Sequence, residues 1–214
     1  MNQNNIQNSW IFIDKPKGIT SFDVIRKIRS FTKIKKIGHS GTLDPFATGA
    51  LALAFGEATK SIQFLSSIKE YDFEITFGET RDTDDVTGNV IESNDVYPSL
   101  NSIKNCIMTF IGIIDQVPPH YSAVKVEGQR AYKLARKGKT FELGSKKVEI
   151  FKFECLKKIT DNIYLLRVKC SSGTYIRSLA RDIAKKLGCF AYVSSLRRTS
   201  IGKVNEKNLI SLDK

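Results

Sequence analysis

Strict alternation over one short segment constrains the fold more than any other feature of this 214-residue chain. In "KEYDFEITFGE", Tyr71, Phe73, Ile75 and Phe77 share one face of an extended chain, with polar and charged residues between them. A period of two predicts a strand and rules out a helix there. "KKVEIFKFECLKKI" and "NIYLLRVKC" read as two more strands, followed by a helix in the run ending "RSLARDIAKKLG". A short strand is expected at 10–13, followed by a turn at Lys15-Pro16-Lys17-Gly18. Ser21 is placed to cap a helix whose apolar residues Phe22, Val24, Ile25, Ile28 and Phe31 recur at helical spacing, with Arg26, Lys27, Arg29 and Lys33 on its other face. "KSIQFLSSI" looks helical, "SLNSIKNCIMTFIG" reads as an amphipathic helix, and "RDTDDVTGNVIE" as an acidic turn leading back into a strand. Strands outnumber helices and often follow one another, so the expected class is α+β with a large mixed or antiparallel sheet.

Charge is distributed unevenly. The 34 Lys and Arg against 22 Asp and Glu give +12 overall. Residues 1–60 hold 9 basic and 4 acidic side chains, residues 61–120 hold 3 and 10, and residues 121–214 hold 22 and 8. A basic C-terminal half points to a polyanionic partner. No strongly amphipathic basic helix supports a membrane surface instead, and no apolar run reaches the ~20 residues of a membrane span. The polar start, MNQNNIQNSW, lacks a basic-then-apolar leader pattern. Cys106, Cys155, Cys170 and Cys189 show neither CxxC nor zinc-ligand spacing, so reduced buried thiols are expected and no metal site. The acidic turn does not qualify as a calcium loop, because Val86 stands at a ligand position and no glutamate closes a twelve-residue loop. These features together point to a soluble cytoplasmic protein.

The chemistry concentrates in "GHSGTLDPFATGALALAFGEATK". Asp44 is the one acid between Asp23 and Glu57, set among glycines and apolar residues. An isolated Asp-Pro is ordinarily a turn. Here a histidine and two glycines precede it within six residues, the glycines permit close approach of a ligand, and low local charge suits a sheltered nucleophile or general base. His39, by itself, reads as structural. In "CSSGTYIRSLARDIA", Tyr175 and Arg177 are expected on one face of a strand, where a ring can stack on a base and a guanidinium can hold a phosphate or orient a carboxylate.

Seven blocks stand in order along the chain: "DKPKGITS", "GHSGTLDPFATGALALAFGEATK", "KEY", "FGETRDTDDVTG", "QVPPHYSAVKVEGQRAYKLARKG", "CSSGTYIRSLARDIAKKLG" and "SSLRRTSIG". In these blocks the chain resembles the TruB family, the bacterial tRNA pseudouridine-55 synthases, over roughly residues 9–203. The resemblance implies an α+β pseudouridine-synthase core on a long mixed, mostly antiparallel sheet with a central active-site cleft. It implies isomerisation of one T-loop uridine of tRNA to pseudouridine after base flipping. Asp44 matches the family's essential aspartate. His39 matches the histidine that helps fill the space left by the flipped nucleotide, and Tyr71 the tyrosine that stacks on the target base. Tyr175, Arg177 and Leu196 match further active-site positions, with Arg177 expected to pair with Asp44 and with Asp85. Lys15 and Pro16 match a motif packed under the site, and residues 117–147 an insertion that folds over the RNA. The whole of 1–214 is expected to be one catalytic domain without the family's usual C-terminal RNA-binding domain.

The same resemblance implies the T-arm and elbow of tRNA as partner, a monomer without guide RNA, and no cofactor, since the isomerisation is redox-neutral and the chain has no GxGxxG or P-loop. Three roles are open to Asp44: attack on the base, attack on the ribose, or removal of a ribose proton. Two rival readings are an RNA-folding factor with secondary chemistry and an enzyme that works only within a guide-RNA assembly.

Overall fold

The computed structural model describes residues 7–65 and 67–212. The polar start up to residue 6, Ser66 within the helix expected at 60–68, and the last two residues lie outside the described residues. In chain order the elements are β1 (Trp10–Lys15), α1 (Ser21–Thr32), β2 (Ile37–Ser40), β3 (Thr48–Phe55), a 3₁₀ segment (Gly56–Phe64), β4 (Lys69–Phe77), β5 (Glu79–Arg81), β6 (Val90–Ser93), α2 (Leu100–Met108) and β7 (Gly112–Gln116). They continue with β8 (Lys125–Val126), β9 (Gln129–Arg130), α3 (Ala131–Ala135), β10 (Lys146–Lys158), β11 (Ile163–Cys170), α4 (Ile176–Lys186), β12 (Ala191–Ile201), β13 (Val204–Asn205), a second 3₁₀ turn (Glu206–Asn208) and β14 (Ile210–Ser211). The class is α+β with a large mixed sheet. The chain divides into two compact units, Met1–Asp72 with Leu196–Lys214, and Phe73–Ser195.

In the first unit the strand order runs β14-β1-β3-β12, with β2 also paired to β3 and β13 to β12. β1 and β3 are antiparallel from Trp10↔Ala54 to Lys15↔Gly49, and β12 joins β3 in parallel at Arg197↔Thr48 and Arg198↔Gly49. β3 is covered on both faces. Leu51, Leu53 and Phe55 pack with Ile13 and with Val24, Ile25 and Ile28 of α1, while Ala50 and Ala52 pack with Ile201, Trp10 and Phe12. Two-sided burial turns a strand into an unbroken apolar run, so "GALALAF" carries no alternation to read. α1 begins at a capping box. Thr20 Oγ1 accepts from the Asp23 N–H at 3.0 Å and Asp23 Oδ2 accepts from the Thr20 N–H at 2.8 Å. The cap is therefore Thr20 and not the expected Ser21, which is buried and bonded elsewhere. Phe22 and Phe31, expected in the apolar stripe, are exposed.

In the second unit the order is β12-β4-β11-β10-β7. β10 pairs antiparallel with both β11 and β7. Every second residue of β4 is buried, as its alternation requires. Phe73 meets Phe153 at a ring separation of 6.2 Å, and Phe77 meets Tyr164 edge-on at 6.1 Å. α4 buries Ile176, Leu179, Ala180, Ile183 and Ala184. Among the described residues, no helix is long and apolar enough to cross a membrane.

Candidate active site

In the first unit, Asp44 lies on the loop joining β2 to β3, between the buried side chains of Leu43 and Phe46. The turn between β1 and α1 fastens that loop at several points. Ser21 Oγ accepts from the Leu43 N–H at 2.9 Å and donates to the Leu43 carbonyl at 3.3 Å. The Gly18 N–H donates to the Pro45 carbonyl at 2.8 Å, and the Ala47 N–H closes back on the Asp44 carbonyl at 3.1 Å. The Asp44 backbone is thus held from both sides, and its side chain is half-buried.

Beneath the loop sits Lys15, fully buried. Its Nζ donates to the carbonyls of Ile19 at 2.7 Å, Pro16 at 2.8 Å and Pro45 at 3.4 Å. Pro16 contributes a carbonyl here and ends the strand. Burial pushes the Lys15 ammonium down to about 8. Asp44 works against that shift by favouring the charged form, while Arg198 adds to it. The carboxylate and the ammonium therefore stabilise one another across the floor of the loop.

His39 lies on β2, opposite Leu53 of β3. Burial first, then the charges of Arg198 and Lys69, hold its pKa below the usual imidazole value, so the ring is neutral at pH 7. Tyr71 on β4 and Leu196 on β12 are both buried, and the Arg198 guanidinium carbon lies 6.0 Å from the Tyr71 ring centre. Arg198 was not legible as a site residue. It is fully buried, donates from Nε to the Ala50 carbonyl at 2.6 Å and from Nη2 to the Gly41 carbonyl at 3.0 Å. Lys69, also buried, lies against Gly41 so closely that a Cβ at that glycine, whose φ is +77°, would collide with its Nζ.

The second unit holds Asp85, Tyr175 and Arg177. Contrary to the expectation from the sequence, Tyr175 and Arg177 do not lie on a strand face. β11 ends at Cys170, the chain turns through Gly173 at φ +87°, Tyr175 is the extended N-cap of α4, and Arg177 is in its first turn. The segment after the turn carries the apolar spacing of a helix, and the buried face of α4 takes Arg177 inward with it. Arg177 donates to the Thr83 carbonyl at 3.0 Å and the Tyr121 carbonyl at 3.2 Å, and pairs with Asp85 at 3.3 Å. Gln116, fully buried, clamps Tyr175 by both backbone groups: its Oε1 accepts from the Tyr175 N–H at 2.8 Å and its Nε2 donates to the Tyr175 carbonyl at 3.1 Å. The half-buried Tyr175 ring lies 4.8 Å from the Lys146 ammonium. Asp84, beside Asp85, adopts φ +59° and pairs with Arg181 at 3.3 Å, and burial raises its pKa to about 6.

The first unit thus presents a backbone-anchored carboxylate above a buried ammonium, together with an aromatic ring backed by a guanidinium. The second presents a locked guanidinium and a second fixed ring.

Comparison with known proteins bears on this arrangement. The family model described as "TruB family pseudouridylate synthase (N terminal domain)" matches residues 29–176, and one described as "tRNA pseudouridylate synthase B C-terminal domain" matches residues 177–214. The protein of Ehrlichia ruminantium named tRNA pseudouridine synthase B is 45% identical over 210 residues, covering 96% of this chain and 70% of its own length. That of Brucella ovis, with the same name, is 40% identical over 208 residues, covering 97% and 64%. A chain of the crystal structure of a Cbf5-Nop10-Gar1 complex superposes with a TM-score of 0.76 at 32% identity, covering 99% of this chain and 54% of that one. One in an H/ACA RNP bound to a substrate RNA containing 2′-deoxyuridine superposes with a TM-score of 0.73 at 29% identity, covering 99% and 53%. The chain therefore spans about half the length of those solved chains and 64–70% of these two relatives. With most of its length matched by one family model and relatives at this identity, the chain belongs to the TruB family of pseudouridylate synthases.

Proposed function

We propose that this protein converts one uridine of tRNA, position 55 in the T-loop, to pseudouridine. The observation that carries the reading is Asp44, a carboxylate fixed by its own backbone between two buried apolar side chains, whose charge favours the ammonium form of the buried Lys15 beneath it. The names of the relatives support tRNA as substrate. The reaction breaks the N1–C1′ glycosidic bond and forms C5–C1′; C5 gives up its proton and N1 gains one. Atoms and electrons balance without an oxidant or a resident cofactor.

The residues take separate parts in that scheme. Asp44 is the nucleophile or base that acts on the nucleotide. Its apolar neighbours keep water from attacking the ribose C1′ while the base is detached, and Lys15 offsets the cost of burying its charge. Tyr71 stacks on the flipped uracil, which helps offset the few kcal/mol of unstacking. His39 enters the space that the flipped nucleotide vacates, and its neutral ring does so without charging that space. Leu196, Tyr175 and Arg177, the last oriented by Asp85, complete the set that meets the nucleotide. The basic side chains of residues 121–214, among them the 117–147 insertion, hold phosphates of the T-arm and elbow, so binding weakens as salt rises. In this reading residues 1–214 act as a catalytic domain on tRNA directly, as a cytoplasmic monomer without a guide RNA. Relatives at 40–45% identity carry the tRNA name, whereas the chains from RNP complexes are 29–32% identical.

The test is incubation of the pure protein with unmodified tRNA, followed by mapping of pseudouridine. Modification at position 55 alone is expected. Tight, salt-dependent binding without any pseudouridine would leave an RNA-binding module in its place.

A further inference from the structure

One buried charge in the first unit has no part in the scheme above. Arg198 is fully excluded from solvent, yet no carboxylate pairs with it among the described residues. Its hydrogen bonds go to two carbonyls at the opposite ends of the segment that carries Asp44: Gly41, where the loop leaves β2, and Ala50, where β3 has just begun. Removing a guanidinium from water with only carbonyl dipoles as partners costs stability, and an apolar side chain of similar volume would avoid that cost. Structural economy does not account for an arginine here. Its shape does, because a planar fork can reach two acceptors set apart in space, and a lysine cannot.

Two more relations tie the same side chain to the site. The β12 backbone at Arg198 presses on Gly49, which takes φ +99° and has no room for a Cβ against the Arg198 backbone. The guanidinium also lies 6.0 Å from the centre of the Tyr71 ring. The ends of the Asp44 segment and the Tyr71 ring are therefore referenced to a single rigid group.

We infer that Arg198 is a positioning residue, fixing the Asp44 loop and the Tyr71 ring in one frame so that carboxylate and stacking surface meet the same nucleotide. The inference deepens the pseudouridine-synthase reading and rests on it. The hydrogen-bonding fork performs this role, not the charge.

Two replacements separate fork from charge. Arg198→Lys keeps the charge and loses the fork. Arg198→citrulline keeps the Nε–H and one terminal NH₂ and loses the charge; a synthetic peptide of residues 189–214 ligated at Cys189 can carry it. Each protein is assayed for tRNA affinity, melting temperature and single-turnover rate at saturating tRNA, below the lowest melting temperature of the set. Arg198→Lys is expected to bind tRNA within about 3-fold of wild type and to react about 100-fold more slowly, the scale of a misplaced reacting group. Arg198→citrulline is expected to stay within about 5-fold of wild type in both.

An Arg198→Lys protein as fast as an active wild type overturns the inference alone. So does an Arg198→citrulline protein that falls about 100-fold, since charge would then be the active ingredient. Should Arg198→Lys fail to fold, the citrulline protein decides by the same criterion. A wild type that makes no pseudouridine overturns the functional reading and this inference with it.

Discussion

Arg177 and Asp85 form an ion pair of 3.3 Å whose side chains are only 5% and 4% exposed. Neither partner depends on the other alone. Asp85 Oδ1 also accepts from Thr83 Oγ1 at 2.9 Å and from the Thr87 N–H at 2.9 Å. Arg177 also donates to the carbonyls of Thr83 and Tyr121. The pair joins the acidic turn after β5, the start of the 117–147 segment and the first turn of α4. Arg177→Met leaves Asp85 buried without its cation and is expected to cost about 3–5 kcal/mol of stability, read by denaturant unfolding. Arg177→Lys keeps a charge but no fork; it is expected to fold and to lose at least about 100-fold in single-turnover rate. Wild-type turnover in a folded Arg177→Lys would remove Arg177 from the site.

Asp84 gives a pH signature in stability. Burial raises its folded-state pKa to about 6 from the ordinary 3.8, with Arg181 opposing the rise. A raised pKa means that the folded state holds the proton more tightly. This contribution is fully present below about 4 and lost as pH rises through 6, up to about 3 kcal/mol in all. Asparagine tolerates the left-handed backbone at this position and does not titrate. Asp84→Asn is therefore expected to gain stability relative to wild type between pH 4 and 7, with loss of the Arg181 ion pair reducing the gain. Parallel melting-temperature curves for the two proteins across that window would contradict it.

Ser21 tests the anchoring of the Asp44 loop from outside the site. Ser21→Ala leaves the buried Leu43 N–H without its acceptor, which costs about 1–3 kcal/mol. The loop should loosen, lowering the single-turnover rate more than the tRNA affinity. A loss of stability with no change in rate would show that the Asp44 loop holds its geometry without this anchor.

Tyr71 tests the stacking surface. Tyr71→Phe keeps the ring and should bind tRNA as wild type does. Tyr71→Ala should weaken binding by about 1–3 kcal/mol, the worth of one base on an aromatic ring. Equal affinities for the two variants would exclude stacking.

Legibility in the sequence followed the physics of each element. β4 has one buried face, so it announced itself by alternation, and the Asp44 loop stood out as a lone acid among glycines. β3 did not announce itself, because both its faces are buried and its sequence is uniformly apolar. β12 was hidden for a different reason: "SLRRTS" carries two arginines, one paired with Asp14 and Glu206 and the other satisfied by carbonyls that only the fold brings near. Gln116 is similar, an ordinary polar residue until the backbone of Tyr175 is placed against its amide. Thr20 and Ser21 were both chemically able to cap α1, and the choice between them was made by the Leu43 backbone, which claims Ser21. Short-range pattern thus reveals what one chain segment decides alone. Buried polar groups satisfied across long sequence separations leave no local trace.

The most direct test of the whole account is Asp44→Asn, measured for melting temperature, tRNA affinity and single-turnover pseudouridine formation on one preparation. Asparagine preserves shape and the loop's backbone hydrogen bonds but carries no charge and is a poor nucleophile or base. The account predicts a folded protein that binds tRNA within a few-fold of wild type and forms no detectable pseudouridine. A folded Asp44→Asn protein that isomerises uridine at a rate comparable to wild type would contradict it, leaving Asp44 as a turn residue.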